Sequence, residues 1–228
     1  MNKIVTLNEV PSNYKHKFLG EGTNGACYLT KDGQVYKEYK DQGVYDEETE
    51  RLLELDYPGF TFPKQLIFID DIFKGYIKDY AQGKTIESIE QLKDIRKFIE
   101  ALKEFETNVM DFSYETELYL YDLNLRNLLY NENKNEIIDI DTDVISSFDY
   151  HLRNPYFENL KELSNNLEYK FFPIDYKSST LNDMKIESIV GGYTRPSKLM
   201  EYSIKEMEKE IEVKSLDDYN KGLNLIKK

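Results

Sequence analysis

The hydrophobic period of this 228-residue chain changes from strand-like to helical near Gln82-Gly83, and that change limits the folds open to it. Before it, the runs Tyr14 to Leu19, Ala26 to Thr30, Gln34 to Tyr39, Leu66 to Ile69 and Tyr76 to Tyr80 alternate with turn residues and read as strands. Asp32-Gly33 between two such runs is the strongest short-range hairpin signal. Asp70-Asp71 and Lys74-Gly75 supply the turn residues between the last two. The acidic stretch 44–56, with Leu52, Leu53 and Leu55 as its apolar edge, predicts a short helix that stops before Pro58-Gly59. From Ile86 onward, Leu92, Ile95, Ile99, Leu102 and Phe105 recur every three or four residues, which marks the stripe of an amphipathic helix. Residues 163–196 show no clear period, and Met200, Ile204, Met207 and Ile211 then line one face of a C-terminal helix. The expected class is α+β, with an antiparallel β part followed by a mostly helical part.

Lys and Arg total 30 against 43 for Asp and Glu, a formal charge of −13, which argues against a general binder of nucleic-acid backbones. One cysteine, Cys27, rules out an internal disulfide and a cysteine-cage metal site. Two histidines, His16 and His151, are too few for a His-rich metal centre. Polar residues interrupt the first ten positions before a signal-peptide core could form, and no apolar run is long enough for a membrane span. The expectation is a soluble, reduced, cytoplasmic protein, with secretion by a route lacking a cleavable signal left open. With 19 Tyr and 12 Phe, the chain has the means to bury a real core.

Gly20, Gly22 and Gly25 form a Gly-x-Gly-x-x-Gly pattern, which lets backbone amides approach phosphate oxygens without an intervening Cβ. A dinucleotide-binding fold needs a helix to begin inside this run. Here Ala-Cys-Tyr-Leu-Thr and an Asp-Gly turn follow, so the loop belongs to a hairpin. The next strand carries Val35 and Lys37 on one face, placed to meet a flat apolar ring and the phosphates beyond it. A solvated strand lysine is the plainer alternative. A carboxylate is needed to hold such a lysine. Glu48 shares the inward face of Leu52 and Leu55, while Glu47 and Glu50 point more towards solvent.

A second hairpin is predicted from Leu128–Tyr130 and Ile137–Ile138, separated by a polar run. It brings Asn127, just before the outgoing strand, beside Asp139, at the end of the returning one. An amide oxygen and a carboxylate are hard ligands suited to Mg2+ with phosphate oxygens. Asp122, in the same loop as Asn127, is placed to face a substrate hydroxyl and accept its proton. An Asx-rich turn is the bland alternative.

Taken together, these pieces resemble the protein-kinase-like superfamily, which includes protein kinases and the aminoglycoside and choline phosphotransferases. Residues 19–29, Leu-Gly-Glu-Gly-Thr-Asn-Gly-Ala-Cys-Tyr-Leu, are similar to a kinase glycine loop. Val35-Tyr36-Lys37 resembles the strand bearing the phosphate lysine, and Asp122-Leu-Asn-Leu-Arg-Asn127 the catalytic loop. Ile-Ile-Asp139 resembles the metal-binding motif. The resemblance implies one bilobal domain over residues 1–228, with an antiparallel N-lobe to about residue 81 and a reduced, mostly helical C-lobe from about residue 84. It implies that Lys37, paired with Glu48, holds the α and β phosphates of ATP beneath Gly20, Gly22 and Gly25. Asn127 and Asp139 would bind Mg2+, and Asp122 would position or deprotonate the acceptor. Asp79 and Ala81 at the hinge would meet adenine through their backbone, beside Val35.

Departures from the family pattern are clear. Leu120-Tyr121 stands before Asp122 in place of His-Arg, Ile140-Asp141 follows Asp139 in place of Phe-Gly, and Asp141 is an alternative metal ligand. The expected activity is an ATP- and Mg2+-dependent kinase acting on protein Ser or Thr, with Ser178, Ser179 and Thr180 as candidate self-phosphorylation sites. The alternatives are a small-molecule kinase of the aminoglycoside or choline type and a nucleotide-binding pseudokinase acting as an interaction module.

Overall fold

The computed structural model describes residues 3–41, 45, 47–120, 122–142, 145–147, 155–171, 189–190 and 193–226. They divide into two units, one made of Met1–Ala81 with Ile140–Ile145 and the other of Gln82–Asp139 with Ser146–Lys228. The protein is α+β, with a sheet in its N-terminal part and mostly helices in its C-terminal part, as the change of period predicts.

In the first unit β1 (Ile4–Leu7), β2 (Lys17–Glu21), β3 (Gly25–Leu29), β4 (Gln34–Tyr39), β5 (Pro63–Ile69) and β6 (Ile72–Asp79) form one sheet in the order β1-β5-β6-β4-β3-β2. Every pairing is antiparallel except β1 with β5, which is parallel. β1 has no local signal because its partner lies far along the chain and no hairpin turn announces the pairing. The β3–β4 turn is the expected one, with Gly33 at φ 81° and its N–H donating to Thr30 O at 3.2 Å.

Between β5 and β6 the turn is made by Asp70 and Asp71 alone, at φ 48° and 62°. Two consecutive left-handed residues match the right-handed twist of a hairpin. Lys74-Gly75, expected in that turn, instead lies inside β6. Gly75, at φ 155°, is required there: a Cβ on it would lie 1.9 Å from Lys37 O. Absence of a side chain is what lets β6 close on β4 at the position of Lys37.

Side chains alternate across this sheet. Tyr36, Ile67 and Ile77 pack on one face with Val5, Leu7, Val10, Tyr14 and Tyr28. Leu66, Phe68, Phe73 and Tyr76 pack on the other with Tyr39 and Leu53. Leu53 comes from the acidic stretch, which forms α1 (Glu47–Arg51) and then a 3-10 turn, Leu52–Glu54.

The second unit is organised around α2 (Ile95–Thr116), whose inward stripe includes Ile95, Phe98, Ile99, Leu102, Phe105, Val109 and Phe112. Asp94 caps it by accepting from the N–H groups of Arg96 and Lys97. Leu92, predicted on the helix, is therefore outside it, although it is buried. A three-stranded sheet of β7 (Lys84–Thr85), β9 (Leu128–Asn131) and β10 (Glu136–Asp139) contains the predicted second hairpin, and β8 (Leu118–Leu120) follows α2. Further helices are α3 (Pro155–Phe171), α4 (Pro196–Met207) and α5 (Leu216–Ile226), with α2 packing on α3 and α4. Ile211 falls beyond the end of α4. α3 extends into the stretch 163–196 that shows no clear period; there Ser164 interrupts the buried face beside Leu163, Leu167 and Phe171. Among the described residues no helix is long and apolar enough to cross a membrane.

One buried ion pair ties α2 to the start of α4. Glu106 is fully buried and accepts from the Ser197 N–H at 2.8 Å, the Ser197 hydroxyl at 2.6 Å and Arg195 Nε at 3.0 Å. Burial raises the Glu106 pKa despite these donors.

Gly75→Ala should lower the unfolding free energy by about 3 kcal/mol in a urea melt, because its Cβ meets backbone and the φ is strained. Glu106→Ala should cost about 3 kcal/mol by leaving the Arg195 charge uncompensated. The folded chain holds the Glu106 proton more tightly than the unfolded chain does, so this group removes stability as pH rises from the usual carboxylate range through the raised value. Unfolding of Glu106→Gln across that range should lack this slope.

Candidate functional site

In the first unit the site is built on β4. The period of two puts Val35, Lys37 and Tyr39 on the face opposite to Tyr36. Lys37 is only 6% exposed, which overturns the plainer alternative of a solvated strand lysine. Burying an ammonium without compensation is costly. Its described compensation is Asp141, whose Oδ1 accepts from Lys37 Nζ at 2.6 Å, and the rings of Tyr39 and Tyr76, at 5.8 and 5.9 Å from the nitrogen. Asp141 keeps 28% of its side-chain surface exposed. Glu47 is exposed on α1, and the Glu48 side chain lies outside the described residues.

A second buried lysine shares this face. Lys78, 3% exposed, lies directly across from Val35 on β6, and its Nζ donates to Ile140 O. Thr142 Oγ1 donates to Thr61 O at 2.8 Å. Residues 140–142 are thus anchored at three successive positions, two of them to strands of the sheet and the third to Thr61 just before β5. Asp79 ends β6, pairs with Lys64 and is exposed, and Ala81 follows it half-buried.

The three glycines differ in kind. A Cβ on Gly25 would lie 2.3 Å from Glu38 O, so this glycine is needed for the packing of β3 on β4. Among the described residues no atom lies within 4 Å of a Cβ built on Gly20 or Gly22. Packing does not require glycine at those two positions, and the backbone there is open to close approach. Gly22 N–H donates to Gly25 O at 2.8 Å, and Lys40 closes the turn by donating from Nζ to Gly22 O at 3.0 Å.

In the second unit the loop after β8 holds Asp122. Its Oδ1 accepts from Asn124 Nδ2 at 2.5 Å and its Oδ2 from Asn127 Nδ2 at 2.9 Å. Arg126 N–H donates to Asn124 Oδ1 at 2.9 Å, which fixes the amide that fixes the carboxylate. Asn127 and Asp139 do lie at adjacent strand ends, since Asp139 pairs with Leu128. Asp139 is 1% exposed, however, and so sits in a very different environment from Asp141. Among the described residues no group of three or more His, Cys, Asp or Glu is gathered to hold a metal. Tyr121 and the Ser178-Ser179-Thr180 run lie outside the described residues.

α3 supplies what sequence reasoning missed. Asn159, fully buried, accepts from Leu120 N–H at 2.8 Å and donates to Leu118 O and to the Ser113 hydroxyl. Glu162 accepts from the Tyr119 hydroxyl at 2.8 Å, and Asn166 donates to Leu123 O at 2.9 Å. Burial chiefly raises the Glu162 pKa, the Tyr119 bond opposes that, and the Asp122 carboxylate adds to the rise. Positions 159, 162 and 166 share one helix face, so a polar stripe grips the loop on both sides of Asp122. The available signal was polar residues at helical spacing next to Leu163 and Leu167.

No family model matches the chain, and neither does any curated protein. Among solved structures, the chain is similar to one described as the Cydia pomonella granulovirus kinase, PK-1, with 21% identity and a TM-score of 0.46. The match covers 59% of this chain and 55% of that one, so it spans about half the length of the viral protein. A likeness this distant assigns no activity.

Asn159→Ala should destabilise the protein by about 2–3 kcal/mol, because it strands buried backbone groups of β8. Thermal or urea unfolding measures the loss, and amide exchange at Leu120 should quicken with it.

Proposed function

We propose that the protein is an ATP- and Mg2+-dependent phosphotransferase of the protein-kinase-like kind, transferring a γ-phosphoryl group to a hydroxyl, with protein Ser or Thr as the acceptor. The observation that carries this reading is a buried lysine on a sheet face paired at 2.6 Å with a partly exposed aspartate, Asp141. A cation held out of water beside a carboxylate is suited to hold anionic phosphates next to a divalent ion.

In this reading Lys37 binds the α and β phosphates, with Glu48 as a further partner, and the open backbone at Gly20 and Gly22 approaches the phosphates from above. Val35 covers the base, and the backbone of Asp79 and Ala81 meets its edge. Asp122, with an amide donor on each oxygen, orients the acceptor hydroxyl and takes its proton. Phosphoryl transfer asks more of positioning than of base strength, which suits a carboxylate held this firmly.

The oxygen donors present fit Mg2+, which keeps waters and phosphate oxygens and needs few protein ligands. Asn127 spends its Nδ2 on Asp122, which leaves Oδ1 as its acceptor for a cation. Of the two aspartates after the second hairpin, Asp139 is sealed, whereas Asp141 in the first unit keeps the solvent access that a carboxylate ligand needs. When bound, Mg2+ neutralises charge on the phosphates.

The test is transfer from γ-labelled ATP to basic protein, aminoglycoside and choline acceptors. Label on protein Ser or Thr is expected. Label on the small cations alone would reassign the acceptor, and ATP binding without any transfer would make the protein an interaction module. Asp122→Ala should lower kcat by about a thousandfold with ATP affinity nearly unchanged. Asp141→Asn should lose the Mg2+-dependent part of that affinity. Wild-type turnover in both variants would refute the assignment.

A further inference from the structure

The second buried lysine is unused by that reaction, yet a burial as complete as that of Lys78 needs a reason. Lys78 occupies a position on the core face of β6 where a Leu or Met would pack without any desolvation cost. Its ammonium spans from the sheet to the Ile140 carbonyl and lies 5.6 Å from the Tyr76 ring. Tyr76 also flanks the Lys37 ammonium, and Lys37 bonds to the residue that follows Ile140. Thr142 is fastened to Thr61 on the other side. Asp141 is therefore the middle of three consecutive anchored residues, and the only one of the three whose anchor is a side-chain carboxylate with solvent access.

We propose that Lys78 is a positioning residue: by holding the Ile140 carbonyl it fixes the backbone that presents Asp141 to Lys37. This rests on the reading of Lys37 and Asp141 as phosphate and metal groups, and it adds a residue that acts through them without touching the nucleotide. Loss of the anchor removes a described hold on the residue next to Asp141. Groups that orient a metal ligand typically matter by about 10- to 100-fold in metal affinity or activity.

The experiment compares wild type, Lys78→Met, Lys78→Arg and, as a control, Lys31→Met, which changes an exposed lysine of the β3–β4 turn. Amide hydrogen exchange over residues 140–142 should quicken about tenfold or more in Lys78→Met, stay at the wild-type rate in Lys31→Met and recover in part in Lys78→Arg. In the same variants the Mg2+ concentration needed for half-maximal ATP binding should rise about 10-fold or more in Lys78→Met, while ATP affinity without metal holds. Unchanged exchange in Lys78→Met overturns the proposal. So does an equal loss of ATP affinity with and without Mg2+, which would put Lys78 on the nucleotide itself. If wild-type protein binds no ATP, the proposed function fails, and the exchange rates alone still decide whether Lys78 holds the segment. A Met variant that does not fold passes the decision to Lys78→Gln, which removes the ammonium and shortens the side chain: exchange faster than in Lys31→Met supports the role and identical rates refute it.

Discussion

The burial of an ammonium group on the inner face of β4 is the constraint from which the rest of the first unit follows. Lys37 is 6% exposed, and a cation so placed demands an opposite charge and polarisable walls. Tyr39 and Tyr76 provide the walls, and Asp141, brought in from far along the chain, provides the charge. The strand that carries the lysine is also closely packed at its backbone: Gly75 has no Cβ because one would strike the main-chain carbonyl of residue Lys37 as β6 closes on β4. The residues that follow β10 are included in the N-terminal unit because Lys37, Lys78 and Thr61 bind them there.

The second unit solves a different problem, how to hold a loop carboxylate still. Asp122 is fixed by Asn124 and Asn127 from its own loop, and the strand before it by Asn159 of α3. Side-chain amides serve well because each supplies both a donor and an acceptor, so Asn159 satisfies a strand N–H and a strand C=O together. The cost is a polar interruption in the apolar face of α3. That interruption is the reason the helix is hard to see in the sequence.

Much of the fold was legible because its signals are local. The β3–β4 hairpin, the β9–β10 hairpin and the stripe of α2 each rest on residues within a few positions of one another. β1 was not legible, because a parallel pairing to β5 has no local mark. The β5–β6 turn was misplaced in part: Gly75 looks like a turn glycine, but its job is the close approach of two strands. In the site, the lysine and the Asp122 loop could be picked out by type and spacing. The roles of Lys78, Lys40 and Asn159 could not, since an isolated Lys or Asn carries no sign of what it meets.

By itself the sequence determined the period of each element, the turn glycines and the presence of a lysine, a carboxylate loop and two closely spaced aspartates after the second hairpin. Those properties depend on neighbours in the chain. Tertiary structure alone decided that Asp141 pairs with Lys37 while Asp139 is sealed at 1% exposure. The physical reason is that β10 buries Asp139 as its last residue, whereas the chain beyond the strand is drawn to the sheet of the first unit, where two buried ammonium groups need oxygen partners.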